Sequence, residues 1–267
     1  MKYINSMSIR LLVLLGVLAT SGCSSIDGVF SSPEENSSVD SPREIVKTEQ
    51  AVADPSQATV AELDPMEQKL LSLRAQPNLY LSGQSPVSGS SAALFKQALQ
   101  AKHKNPDIAQ KLLLTLTQTQ PGLSGPWVQL GDIDMQAFAA LKPSQWDQKQ
   151  ALLNDAKSNY QKAVAVNQHN YFAHNRLARV FRELGEFEQA EQHYQYAIAS
   201  WPAYDNSYLN LGILYDLYMG KKQQALPNYE LYQALQDKPV RQVRGWIADL
   251  KRQLAKAQRN ASTGASK

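Results

Sequence analysis

A second cysteine is missing from this chain of 267 residues, and Cys23 stands alone among small residues near the start. Disulfides within the chain are thereby excluded, and so is a metal held by several thiolates. Long apolar runs are missing too: the one unbroken stretch, Leu11 to Ala19, is about half of the roughly 20 residues that a membrane-spanning helix needs. Net charge is small, +3 overall, and gives no argument for a nucleic-acid partner, which would want a clustered basic surface. Catalytic signatures are absent as well. There is no His-Glu-x-x-His pair, no phosphate-binding glycine loop, no Gly-x-Ser-x-Gly elbow and no dinucleotide fingerprint. His103, His169, His174 and His193 include no pair at the i, i+4 spacing of a helical metal site. The sequence predicts no enzyme, no cofactor and no metal.

What is present begins with Lys2 and Arg10, the apolar run after them, and the small residues Ala19 to Gly22. That is the layout of a secretory signal peptide, with its cut just before Cys23. Removing residues 1–22 deletes Lys2 and Arg10 and takes the charge from +3 to +1. The stretch resembles the bacterial lipoprotein signal, in which a small residue before cysteine permits thioether diacylglycerol attachment, cleavage and amine acylation. Thr20 departs from the leucine most usual there. The resemblance implies that Cys23 is lipidated, palmitate being among its acyl chains. Each buried methylene contributes about 0.8 kcal/mol and one chain anchors only marginally, so several chains make the attachment stable. Ser24, where aspartate would retain the protein elsewhere, implies the outer membrane and a body facing the periplasm.

From 23 to 65 serine, proline and acidic residues dominate, and apolar residues come singly. Such a segment cannot bury enough surface to offset its ordering entropy. It reads as a flexible linker, roughly 35 Å end to end for a coil of about 40 residues. Residues 66–89 read as a short helix, Met66 to Arg74, and an irregular stretch from Gln76 to Ser91 with Pro77, Gly83, Pro86 and Gly89.

Self-similarity governs the rest. Ala156-x3-Tyr160-x2-Ala163 recurs as Ala190-x3-Tyr194-x2-Ala197, 34 residues later, and Ala225-x3-Tyr229 follows after 35, one residue having been added around Gly220. Ala109-x3-Leu113-x2-Leu116 keeps the spacing in aliphatic form. A second signature precedes each: Trp127-x2-Leu130-Gly131, Leu177-Ala178-x2-Phe181 and Leu211-Gly212-x2-Tyr215. Gly185, Gly220, Pro121 and Pro202 mark the turns. The pattern resembles the tetratricopeptide repeat (TPR), which implies an all-α, right-handed solenoid of about four helix-turn-helix repeats over 90–238, with boundaries at 90–123, 124–170, 171–204 and 205–238. The second repeat has 13 extra residues between its signatures, so both of its helices should lengthen into a projecting hairpin, Ser144 and Asp147 marking a helix start. Pro239 suits the first turn of a closing helix over 239–257. Val243, Ile247, Leu250 and Leu254 form its apolar stripe, and Arg241, Arg244, Lys251, Arg252 and Lys256 its polar outer face. Residues 258–267 read as a disordered tail.

In TPR arrays the first helix of each repeat lines a concave face. The resemblance carries that face onto Phe172, Asn175, Arg176, Arg179 and Arg182, and onto Asn206, Leu209, Asn210, Ile213 and Asp216. The arginines lie three apart on adjacent turns. Guanidinium forks suit carboxylates, and asparagines suit the peptide groups of an extended ligand. The lysines of chaperone-tail receptors are missing, which argues against that role. The expectation is an adaptor for an envelope protein or peptide, bound to the membrane through Cys23, in pilus and secretin biogenesis or in placing peptidoglycan enzymes. The alternative is a periplasmic small-ligand-binding protein or enzyme with a pocket under 76–91.

Overall fold

The computed structural model of the chain describes residues 63–82 and 87–264. The signal peptide, Cys23 and nearly all of the linker lie outside the described residues. Every regular element among those described is helical. A short α1 (Pro65–Ala75) and a single turn, α2 (Leu79–Ser82), precede four hairpins. These are α3 (Gly89–Ala101) with α4 (Pro106–Thr119), α5 (Ser124–Ala140) with α6 (Trp146–Val166), α7 (Tyr171–Glu183) with α8 (Phe187–Ser200), and α9 (Asp205–Ile213) with α10 (Lys222–Leu235). The last helix, α11 (Arg241–Gly264), packs on α10. Each helix touches its hairpin partner and then the next hairpin, the sequential stacking of a solenoid. Four hairpins and a closing helix are what the 34-residue period predicts.

The hairpins close where a small residue of the first helix meets an aromatic ring of the second. A Cβ on Gly131 would stand 2.6 Å from the Tyr160 ring, and one on Gly212 would stand 2.6 Å from the Tyr229 ring. Buried Ala178 holds the corresponding place in the third hairpin, whose ring is Tyr194. Ala109, Ala156, Ala163, Ala190, Ala197 and Ala225 have no exposed surface, which lets the second helices come close. The ends of the helices follow local chemistry. Asn105 and Asn170 cap α4 and α7, their side chains accepting from the Ile108 and Ala173 N–H groups. Gly185 ends α7 with φ 78, and there its N–H and that of Glu186 reach back to the Arg182 and Phe181 carbonyls.

Several expectations are corrected. The added residue of the fourth repeat is absorbed before Gly220, in a π turn at Leu214–Tyr218. A π turn takes one more residue than an α turn without breaking the helix. The second hairpin is lengthened, 17 residues in α5 and 21 in α6, and Trp146 at its tip is 65% exposed. Ser144 does not cap α6, however. Gln145 holds the cap position, with its Oε1 accepting from the Lys142 N–H. Pro239 stands before the first turn of α11, because the Gln233 side chain takes the Val240 N–H and the helix begins at Arg241. The same helix runs on to Gly264 through the stretch read as a tail, since Ala255, Lys256, Ala257, Gln258 and Arg259 are good helix formers. Val243 and Leu250 are its buried anchors.

The segment 76–91 is not uniformly irregular. It contains α2, and Ser88 caps α3 at Gly89. Tyr80 of α2 packs directly on rings of α7. A recess of about 300 Å³ does lie between α10 and α11, lined by Lys222, Gln253, Leu254, Lys256, Ala257 and Asn260, none of them from 76–91.

Candidate functional site on the first-helix face

The first helices of successive hairpins are joined by a ladder of polar side chains. Lys102, at the end of α3, donates to Gln129 at 2.7 Å and pairs with Asp132 of α5 at 3.6 Å. Arg176 of α7 meets the same carboxylate at 2.7 Å, and the Tyr160 hydroxyl donates to it at 2.8 Å. One hairpin further on, Asn210 and Ser207 of α9 donate to the Asn175 side-chain oxygen at 3.2 and 3.5 Å.

Of the ten residues the sequence assigns to a groove, Phe172, Arg176, Arg179, Asn206 and Asp216 keep some exposure. Asn175, Arg182, Leu209, Asn210 and Ile213 are buried. Asn175 and Asn210 bond to each other instead of reaching outward. The three arginines share a helix but not an environment. Arg176 is held by Asp132. Arg182 is buried beside Glu183, at 3.2 Å, with its guanidinium over the Tyr218 ring. Arg179 makes no hydrogen bond or ion pair among the described residues and is half-buried.

Each of the last three hairpins buries a tyrosine at the same place. Tyr160 gives its hydroxyl to Asp132 and Tyr229 gives its hydroxyl to Asp216. Tyr194 gives its own to nothing: the oxygen is buried with no hydrogen-bond partner among the described residues. Burial pushes its pKa up, and the charges of Arg182 and Arg179 oppose that rise. The acid beside it, Glu183, pairs with Arg182 instead of accepting from the hydroxyl. Arg179 is a half-exposed cation of this helix, and its guanidinium fork suits a carboxylate.

One pairing had no signal in the sequence. His174 and His193, 19 residues apart, bring their Nδ1 atoms to 2.9 Å across α7 and α8, and His174 Nε2 lies 3.0 Å from the Gln168 carbonyl oxygen. The carbonyl only accepts, so His174 Nε2 carries a proton and its Nδ1 accepts from His193. Only a known hairpin register would have revealed the pair. Among the described residues no three His, Cys, Asp or Glu side chains gather to hold a metal ion.

These hairpins, with small residues under aromatic rings and first helices side by side, define the tetratricopeptide-repeat fold. Solved structures agree. The chain is similar to TTC0263, a thermophilic TPR protein of Thermus thermophilus, with 23% identity over 69% of this chain and 90% of that one and a TM-score of 0.51. It is also similar to pilF of Pseudomonas aeruginosa, with 21% identity over 62% and 70% and a TM-score of 0.50. Human IFIT1, solved as a dimer with PPP-AAAA, matches at 19% identity over 64% of this chain and 40% of its own, with a TM-score of 0.53. No protein-family model and no curated protein sequence matches the chain. At these identities the likeness is one of fold.

Proposed function

We propose that the protein is a lipid-anchored adaptor of the cell envelope that receives an acidic side chain or C-terminus of an envelope protein at the third hairpin. The observation that carries this reading is Arg179, which stands half-buried on α7 with no hydrogen bond or ion pair among the described residues. TPR folds serve widely as protein-interaction scaffolds, and the lipoprotein signal at Cys23 adds the tether to the outer membrane. Pilus and secretin assembly and the placing of peptidoglycan enzymes are the two settings in which such an adaptor fits. Cross-linking in intact cells tests it. Native protein should capture one dominant envelope protein, Arg179→Glu should lose it and Arg179→Lys should keep part of it. Capture unchanged in Arg179→Glu would move the binding surface elsewhere. For the anchor, Cys23→Ala should abolish palmitate labelling and release the protein from membranes.

A further inference from the structure

One aromatic ring from outside the hairpins is seated on the solenoid. Tyr80 meets Tyr171 edge-on, with centroids 5.8 Å apart, and Phe172 edge-on at 6.4 Å. Behind them stand Trp201 and Tyr204, 4.9 and 4.6 Å from Tyr171. The four rings come from the start of α7 and the turn before α9, and together they form a clasp. Beside it the Ser124 hydroxyl donates to the Tyr80 oxygen at 3.4 Å and itself accepts from the Asn170 side-chain amide at 2.9 Å. An aromatic wall and a hydroxyl reader thus converge on one tyrosine. Edge-to-face rings attract beyond what their burial alone supplies.

The rest of the segment lies at the surface, α1 touching α10. Neither α1 nor α2 buries a residue, and Leu71 and Leu81 remain 49% and 57% exposed. A four-residue turn has no stability of its own in water. Its local support is the Asn78 side chain, which accepts from the Tyr80 and Leu81 N–H groups at 3.1 and 3.3 Å. The clasp is the opposite case, with Tyr171 and Tyr204 only 1% and 5% exposed and fixed by the hairpins. The clasp is built into two hairpins, whereas its occupant rests on one ring and one side-chain cap.

We propose that residues 65–82 are a displaceable strap, and that the clasp of Tyr171, Phe172, Trp201 and Tyr204 is a docking site for a tyrosine carried on a short helical turn. In the free protein the chain's own Tyr80 fills it. A partner offering the same chemistry competes with the strap. Phe172 lies beneath the Arg176 guanidinium, 5.6 Å from its centroid, so the clasp adjoins the first-helix face. The inference goes beyond the adaptor reading and needs only that Tyr80 can leave.

A labelled peptide of residues 64–82, titrated into the full chain and followed by fluorescence anisotropy, tests it. The peptide should bind the Tyr80→Ala protein at least tenfold more tightly than wild type. A peptide carrying Tyr80→Ala should not bind, and Phe172→Ala added to the Tyr80→Ala protein should abolish binding. Asn78→Ala, which loosens the strap and leaves the clasp intact, should raise peptide binding above wild type. Equal binding to wild-type and Tyr80→Ala protein, or binding to neither, overturns the proposal. So does binding of the alanine peptide. Loss of helical circular dichroism in Tyr80→Ala would overturn it too, by making Tyr80 a structural wedge instead of a displaceable ligand.

Discussion

Adding one methyl group at Gly131 should unsettle the second hairpin, whereas the same change at Gly245 should stabilise α11. At Gly131 the new Cβ would meet three Tyr160 ring atoms at 2.6, 2.8 and 2.9 Å, and ordinary contact begins near 3.4 Å. The ring must therefore retreat by about 0.8 Å. It has nowhere to go, being 1% exposed with its hydroxyl tied to Asp132, which also holds Arg176 and Lys102. Overpacking of this kind costs about 1–3 kcal/mol. A strained hydrogen bond adds about 1 kcal/mol, and the better helix propensity of alanine returns about 1 kcal/mol. The net loss is about 2 kcal/mol. At Gly245 nothing lies within 4 Å of the added Cβ, so the propensity gain of about 1 kcal/mol stands alone. Urea unfolding followed by far-ultraviolet circular dichroism compares the two. A Gly131→Ala protein as stable as wild type would refute the packing of ring on glycine.

Three further outcomes are expected. Asp132→Asn leaves Lys102, Arg176 and Tyr160 without their shared carboxylate and should lose about 1–3 kcal/mol in the same assay. One buried and one partly buried group should tilt the pH dependence in opposite directions. Burial lifts the Asp134 carboxyl from 3.8 to about 6, so the folded state holds that proton more tightly and Asp134 favours folding in acid, an effect lost as pH rises through 6. Burial lowers His193 from 6.5 to about 4, so its contribution is present above 6.5 and lost as pH falls toward 4. Asp134→Asn should therefore steepen the loss of stability on acidification, and His193→Gln should flatten it, both read as unfolding midpoints from pH 4 to 7. Trp146→Ala, at the exposed hairpin tip, should change stability by less than about 0.5 kcal/mol.

Much of the fold was legible because its packing demands particular sizes at fixed distances. Gly131 under Tyr160 and Gly212 under Tyr229 recur in sequence as they do in space, since a larger residue would clash and a smaller ring would leave a void. The π turn was visible only as a spacing of 35. Its place at Leu214–Tyr218 depends on backbone bonds, such as that from the Met219 N–H to the Leu214 carbonyl, which no side-chain pattern records. The groove was half legible. Periodicity put Arg176, Arg179 and Arg182 on one face of α7, but their surroundings depend on Asp132 and Tyr218, which come from other hairpins, and on how Arg182 turns toward its neighbour Glu183. Tyr80 carried no signal at all. It is a single aromatic in an aperiodic stretch, and its 91-residue reach to Tyr171 is a property of the fold.

In the proposed adaptor the third hairpin offers Arg179 to an acid that arrives from outside. Once a partner is captured, a double-mutant cycle tests this most directly. The binding segment and a version with its acidic group neutralised are each titrated against wild type and Arg179→Glu. Either change alone should weaken binding about tenfold or more, and the two together should weaken it little further, because both remove the same contact. Full additivity, or an acid whose removal leaves the affinity unchanged, would contradict it.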